Sequence, residues 1–263
     1  MSGLDPSGAS ARRLNEERFT ATAASYATSG IADRHAEYEA VLRLAEPAPA
    51  DRVLDVGCGP GALLGVLASR VRHGVGVDLT AAMLEQARAR LRSLRAGSVS
   101  LVRGEAARLP FASGAFSIAV TTYTLHHFGE VRGVLREMIR VLRSPGRLVI
   151  GDLVGAEDNH ARALANEIER LRDPAHIELH SVRGIEALLA SEGLAVTGRV
   201  EGSTERELGD WLRLAHAPPE RSRLVRERLL GTLSHDTAGM APSLEGETVR
   251  FVHHWAVVGA RKP

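Results

Sequence analysis

The stretch VLDVGCGPGALL, residues 53–64, constrains this chain more than any other. An apolar run ends in a turn that holds three glycines in five positions, Gly57, Gly59 and Gly61, and an apolar pattern with helical spacing follows. A strand that enters a helix through glycines lets a ligand approach bare backbone. Pro60 suits the first helical turn, where a missing N–H costs nothing. Gly57, Gly59 and Ala62 satisfy the dinucleotide spacing G-x-G-x-x-G/A. Asp78 stands 21 residues after Gly57, where that fingerprint wants an acid for ribose hydroxyls. No Gly-Lys-Ser/Thr follows the glycines, which excludes a phosphate loop.

Asp55 separates the remaining ligands. It closes the first strand, two residues before Gly57, and would repel a pyrophosphate on the same turn by several kcal/mol at ~4 Å in an effective dielectric of about 20. The same carboxylate favours a cofactor that carries an ammonium. S-adenosylmethionine has an amino-acid tail, a sulfonium and an adenosine, with no phosphate, and the N–H groups of the turn are there to meet its carboxylate. The competing reading leaves Asp55 as a brace for the turn.

Around this turn strands and helices alternate. Strands are expected over residues 52–56, 74–78, 99–103, 116–121 and 147–152, and helices over 60–69, 80–94 and 131–142, the last with Val131, Val134, Leu135, Met138, Ile139 and Leu142 on one side. Such alternation predicts a doubly wound α/β sheet, mostly parallel, with helices on both faces. Before it, residues 11–45 read as helical, stopped by Pro47 and Pro49. After Asp152, helices are expected over 158–171 and 182–191 and a strand over 195–200. A polar, helix-rich insertion over 205–233 carries Trp211, and a final strand covers 248–260, entering antiparallel at the sheet edge. The predicted organisation is a flexible N-terminus over 1–10, a helical lid over 11–47, a cofactor-binding α/β core over 48–152, a helix-rich substrate-covering region with one core strand over 153–247, and a C-terminal strand over 248–263.

Composition narrows the partners. Lys and Arg number 33 against 32 Asp and Glu, so no basic excess points to nucleic acid. No apolar run reaches the ~20 residues of a membrane helix, and the N-terminus lacks the order of a signal peptide. A single cysteine excludes an internal disulfide framework. The expectation is a cytoplasmic protein, monomer or homodimer, that binds neither nucleic acid nor membrane.

Five ordered segments carry a family resemblance. VLDVGCGPG (53–61), GVDLTAAML (76–84), GEAARLPF (104–111), FSIAVTTYTLHHF (116–128) and LREMIRVLRSPGRLVIGD (135–152) resemble, in this order, the motifs of class I S-adenosylmethionine-dependent methyltransferases. Within that class they resemble the type 11 group around the ubiquinone and menaquinone methyltransferases. The resemblance implies a Rossmann-like, seven-stranded sheet whose last strand is antiparallel. It also implies a set of cofactor-binding residues. Gly57, Gly59 and Gly61 would let backbone approach the methionine end, with Cys58 between them and Asp55 on the ammonium. Asp78 would accept the ribose hydroxyls, and Leu79 and Met83 would pack on the adenine. Gly104, Glu105 and Ala106 would follow the adenine edge, although many relatives have aspartate where Glu105 sits. Thr121 and Leu125 would lie along the methionine portion, and Tyr26, in FTATAASY (19–26), near its carboxylate.

Other residues divide between chemistry and packing. Asp78 could instead cap the following helix, Met83 could be core, and Cys58 has no paired cysteine and no activating base. His126 and His127 follow the fourth strand, where substrates enter this architecture, and either could serve as general base or position the substrate. His176, His180 and the His253–His254 pair lack the spacing of a metal site, so no metal is expected. Trp211 and His216 could line a substrate pocket or roof the core, and the arginines of 221–228 read as a solvated helix face. The predicted activity is methylation of a small-molecule O, N or C nucleophile by in-line displacement, releasing S-adenosylhomocysteine. Alternatives are another chemistry on the same cofactor site, such as cyclisation, a nicotinamide oxidoreductase, or a module that binds the cofactor without turnover.

Overall fold

A computed structural model describes residues 8–28 and 34–263. It contains, in chain order, helices α1 (Gly8–Thr28) and α2 (His35–Ala45), strand β1 (Arg52–Val56), α3 (Ala62–Leu67), β2 (His73–Asp78), α4 (Ala81–Ser93), β3 (Val99–Arg103) and β4 (Phe116–Thr122). After a short 3-10 turn at Leu125–His127 come α5 (Val131–Val141), β5 (Leu142–Val154), α6 (Asn159–Arg172), α7 (Val182–Ser191), β6 (Ala195–Glu207), α8 (Leu208–Leu214), α9 (Pro219–Leu230), β7 (Ser243–Glu245) and β8 (Thr248–Lys262).

The strands form one sheet in the order β3-β2-β1-β4-β5-β8-β6, with β7 paired to β8. From β3 to β5 every pairing is parallel, and β8 runs antiparallel to β5, β6 and β7. The order reverses direction between β1 and β4, and a crevice opens at such a switch point.

Strand periodicity explains the two-faced core. Side chains alternate across a strand, so Leu54, Val56, Ala119, Leu148 and Ile150 pack on one face with Val134, Leu135 and Met138 of α5 and Ile185 and Leu189 of α7. Val53, Ile118, Val120 and Val149 take the other face with Val41 and Ala45 of α2 and Leu63 and Leu67 of α3. Both faces of β1 and β4 are therefore apolar, as buried parallel strands require.

The sheet has eight strands where the sequence led us to expect seven. Strand β7 is only three residues long and pairs Glu245 with Thr248 across a tight turn, with Gly246 at φ 62°. Strand β6 extends to Glu207 rather than ending at residue 200, because the 15-residue β8 offers partners as far as Arg250. Strand β5 begins directly after α5, where Leu142 pairs with Phe116, and passes through a cis Ser144–Pro145 peptide. A third core joins Ile168 of α6, Trp211 of α8 and Val225 and Leu229 of α9 to Phe251 of β8.

Helix α1 is held differently. It buries Ala11, Thr22 and Ala23, sets Phe19 edge-on to His127 at 4.9 Å, and adds several polar contacts. Arg18 pairs with Asp173 at 3.1 Å in a buried site, Glu16 pairs with Arg103, and Asn15 donates to the His127 carbonyl at 2.8 Å. Residues 1–7 of the expected flexible N-terminus lie outside the described residues, and Gly8–Ser10 are the first turn of the helix. No helix among the described residues is long and apolar enough to cross a membrane.

Candidate active site

A cavity of about 230 Å³ opens at the switch point, roofed by α1. Its floor is the turn between β1 and α3. Gly57, Gly59 and Gly61 have φ of 70°, 49° and 75°, the left-handed region that side chains disfavour. A Cβ on Gly57 would collide with Thr124, and one on Gly61 would press on Ala87 at 3.0 Å. At Gly59 nothing lies within 4 Å of such an atom, so backbone there faces open space.

The N–H groups of this turn are already engaged, contrary to the expectation that they await a ligand carboxylate. Gly57 and Cys58 both donate to the Val77 carbonyl, at 2.8 and 3.0 Å. Gly61 donates to the Cys58 carbonyl at 3.0 Å, and Gly59 donates to Asp78 Oδ2 at 2.9 Å. Arg34 is a cation placed to meet a ligand carboxylate instead. It lines the cavity just before α2, its guanidinium 3.8 Å from the Tyr123 ring centre, with no carboxylate within ion-pair distance among the described residues.

Asp78, at the end of β2, lines the cavity. Its Oδ1 accepts from the Thr80 N–H at 2.8 Å. The capping and ligand-binding readings of Asp78 are thus compatible: each oxygen accepts one backbone N–H, from Thr80 at the start of α4 and from Gly59, and has further acceptor capacity. Burial pushes its acidity down, and the hydrogen bonds from Thr80 and Gly59 partly offset this. Asp55 is buried behind the wall rather than part of it, with Oδ1 unpartnered among the described residues. Burial and the nearby Asp78 raise its pKa to about 8. Asp55, a buried acid with an orphaned oxygen beside the turn, suits a cationic group and opposes a polyphosphate, whereas Asp78 serves a ribose of either cofactor class.

At the far end of the cavity lie Leu79, Met83, Gly104, Glu105 and Ala106. Met83 is buried yet lines the space, so its core and contact roles coexist. Glu105 pairs with Arg12 of α1 at 3.0 Å, which ties the roof to this end. Cys58 also lines the wall, and burial raises its thiol pKa. Tyr26 sits opposite, stacked edge-on with Phe19 at 5.8 Å. Thr121 and Leu125 do not line the cavity. The Thr121 hydroxyl donates to the Val56 carbonyl at 2.8 Å inside the sheet, and Leu125 is packed in the core. Thr122, Tyr123 and Thr124 form that wall instead. Tyr123 has φ 54° and donates its hydroxyl to the buried Glu37 at 2.5 Å.

A second chamber of about 660 Å³ adjoins the first and shares Phe19, Tyr26, Arg34, Tyr123 and His127 with it. Trp211 and Arg172 line its far side, with the guanidinium 4.7 Å from the indole centre. His126 lines this chamber only. Its Nδ1 is 2.6 Å from Asp152 Oδ1, and its backbone N–H donates to Asp152 Oδ2 at 3.0 Å. Burial lowers the His126 pKa, but the Asp152 carboxylate more than offsets this, so it ends raised. His127 donates Nδ1–H to the Ala175 carbonyl at 2.9 Å, and burial plus its neighbour His126 lower its pKa to about 4. The two rings lie 4.1 Å apart.

The remaining histidines fall outside the chemistry proposed from sequence. His176 is bonded to Asn166 at 2.7 Å, and His253 lies 3.0 Å from Glu169 at the chamber's edge. His216 meets Ser25 of α1 at 2.9 Å. No three of the described His, Cys, Asp and Glu side chains group as metal ligands. On α9, Arg223 and Arg228 pair with Glu227 and Glu167 in exposed sites. Arg34, Tyr123 and Asp152 were missed as site residues. Arg34 carries no motif. Tyr123 and Asp152 lie inside quoted motifs, but only the tertiary placement of the loop after β4 beside the end of β5 brings them to the cavities.

Comparison with known proteins gives a consistent picture. Residues 54–150 match a family described as a methyltransferase domain. An uncharacterized methyltransferase of Bacillus subtilis, YcgJ, is 27% identical over 239 residues, 90% of this chain and 94% of its own. Its crystal structure superposes with a TM-score of 0.82 over 87% of this chain and 98% of that one, at 26% identity. A putative methyltransferase from Bacillus halodurans shares the fold, with a TM-score of 0.83 at 23% identity over 87% of this chain and 99% of its own. An O-methyltransferase of Pyrenophora dematioidea is 32% identical over 163 residues, 59% of this chain and 58% of its own.

Proposed function

We propose that this chain works as a class I S-adenosylmethionine-dependent methyltransferase, as its likeness to methyltransferases supports, and that it methylates a small molecule held in the second chamber. The carrying observation is the pair of adjoining cavities, which meet at Tyr26, Arg34, Tyr123 and His127 beneath α1. The first carries the glycine turn and Asp78, which supports it as the cofactor site, and the second is the larger space and is left for an acceptor. When bound, S-adenosylmethionine supplies a methyl group on a sulfonium that is already a good leaving group.

The chain's own residues then orient and enclose. Asp78 accepts the ribose hydroxyls through its spare lone pairs, and Glu105 with the Gly104–Ala106 backbone faces the adenine edge. Leu79 and Met83 pack on the ring. Asp55 offsets the positive charge of the methionine end. Arg34 and Tyr26 receive its carboxylate, in place of the turn's engaged N–H groups. Helix α1 excludes water, which strengthens these polar contacts and holds the reactants in line. The near-balance of charge supports a small-molecule acceptor rather than a nucleic acid, and the chain would act as a monomer or homodimer in the cytoplasm.

Turnover is the test. The full chain is incubated with methyl-labelled S-adenosylmethionine and a metabolite panel. We expect S-adenosylhomocysteine to accumulate in proportion to label in one acceptor. Acceptor consumption without S-adenosylhomocysteine would contradict the proposal, and so would cofactor binding with no transfer across the panel.

A further inference from the structure

The wall of the second chamber holds a histidine–carboxylate pair that cofactor binding does not use. Asp152 ends up beside His126 because β4 and β5 are parallel neighbours and both project their C-terminal ends toward the switch point. The carboxylate grips one residue twice, through the ring Nδ1–H and through the backbone N–H. The tautomer follows: Asp152 holds the proton on Nδ1, so the lone pair of the neutral ring is on Nε2. No described residue bonds Nε2, and the tenth of the side chain left exposed belongs to the chamber wall. His127 cannot take the same part. Its Nδ1 meets a carbonyl rather than a carboxylate, and burial with the neighbouring His126 outweighs the pull of Asp173 and Asp152 and holds its pKa down to about 4.

We propose that His126 Nε2 is the general base of this enzyme, that Asp152 positions it, and that the acceptor is therefore an aromatic hydroxyl compound. This rests on the methyltransferase reading above. A thiolate is nucleophilic without such a base, whereas a hydroxyl is weakly nucleophilic until its proton leaves, and the aromatic lining of the chamber selects a phenolic one. In the balanced step, the hydroxyl O–H proton moves to Nε2 while the oxygen forms a bond to the methyl carbon. The carbon–sulfur bond breaks, its electron pair stays on sulfur, and neutral S-adenosylhomocysteine results. The imidazolium then loses its proton to water. An aromatic ring is favoured by the rings of Phe19, Tyr26, Tyr123 and Trp211, which line the chamber.

The groups that face His126 set its titration. They are Asp152 on β5, Glu169 and Asp173 on and just after α6, and the rings of His127, His176 and His180. Glu169 lies beside His253 and Arg172, and Asp173 is paired with Arg18, which leaves Asp152 as the carboxylate in direct contact. Because Asp152 raises the His126 pKa, activity should rise with pH through a limb above the usual histidine value. Asp152→Asn removes that support, so the limb moves to lower pH and the plateau drops.

The test uses the full chain, with Asp152→Asn and His126→Gln as variants and S-adenosylhomocysteine affinity by calorimetry as the control. Three readouts follow. Labelled methyl transfer is compared for phenol, 4-nitrophenol and the matching anilines. The pH profile of kcat/KM is measured on the phenol. The phenolate absorbance of 4-nitrophenol is recorded in the S-adenosylhomocysteine complex. We expect label in the phenols and not in the anilines, and a ~10²-fold loss of kcat in each variant with KM nearly unchanged. We also expect the limb to shift in Asp152→Asn, and bound 4-nitrophenol to ionise in the native chain but not in His126→Gln. Anilines labelled instead, no phenol labelled, an unmoved limb, or equal ionisation in His126→Gln would each overturn the proposal. If Asp152→Asn does not fold, the two His126→Gln readouts decide alone. Failure of the native chain to bind S-adenosylhomocysteine would instead overturn the methyltransferase reading.

Discussion

Asp55 and Asp78 lie on adjacent strands, and burial gives them different states. Asp78 has two backbone donors and faces the cavity. Asp55 has a buried, unpartnered oxygen, and with Asp78 close by its proton stays on up to about pH 8. A cation brought to this turn needs the carboxylate, so binding below that pH must expel the proton. We expect S-adenosylmethionine binding to release close to one proton at pH 7, and affinity to rise with pH and level off above about 8. Calorimetry in two buffers of different ionisation enthalpy measures this, and pH-independent binding without proton release would remove Asp55 from the site. For the ligand-free chain the sign is opposite. A raised carboxyl pKa favours the folded state at low pH, and that contribution fades as pH climbs from the ordinary carboxylate range to about 8. Asp78→Ala should weaken cofactor binding by ~1–3 kcal/mol, the cost of hydrogen bonds lost to a charged acceptor, again read by calorimetry.

Helix α1 buries few apolar side chains and adds polar clasps to them. Its Arg18–Asp173 pair is buried, whereas Arg12–Glu105 and Glu16–Arg103 are exposed and salt-sensitive. Removing one partner of a buried pair leaves the other uncompensated, at a cost of ~3–5 kcal/mol. Since α1 lies outside the sheet, Arg18→Ala should release the helix rather than unfold the molecule. Hydrogen exchange should then speed up across residues 8–28 and stay slow in β1, β4 and β5, while cofactor affinity falls. Equal acceleration in both regions would show that α1 is part of the global fold and not a lid. The elements most legible in the sequence were β1 to β4, α4 and α5. Each carries a clear period, and buried parallel strands are apolar on both faces. The end of β6 and all of β7 were not legible. Residues such as Glu201, Thr204 and Glu205 alternate with polar or small neighbours, and only the length of β8 gives them partners.

At the scale of the molecule, one parallel sheet with a reversed strand order leaves a crevice, and the helices beyond β5 and before β1 make it into two joined chambers. The position of the donor cavity followed from the glycine turn and Asp78, since both lie where strands end. The inner placement of Thr121 and Leu125 did not: neighbouring residues on a strand face opposite sides, so Thr122 reaches the cavity where Thr121 turns inward, and Leu125, in the turn after β4, packs in the core. Nor did Arg34, whose importance depends on the engaged N–H groups of the turn rather than on any pattern around it. We propose that Asp55, beside the glycine turn, selects a cationic, phosphate-free adenosine cofactor. Competition binding tests that most directly, with labelled S-adenosylmethionine on the full chain challenged by excess NAD. The account predicts saturable binding that NAD leaves unchanged and unlabelled S-adenosylhomocysteine displaces. Displacement by NAD, with no competition from S-adenosylhomocysteine, would contradict it.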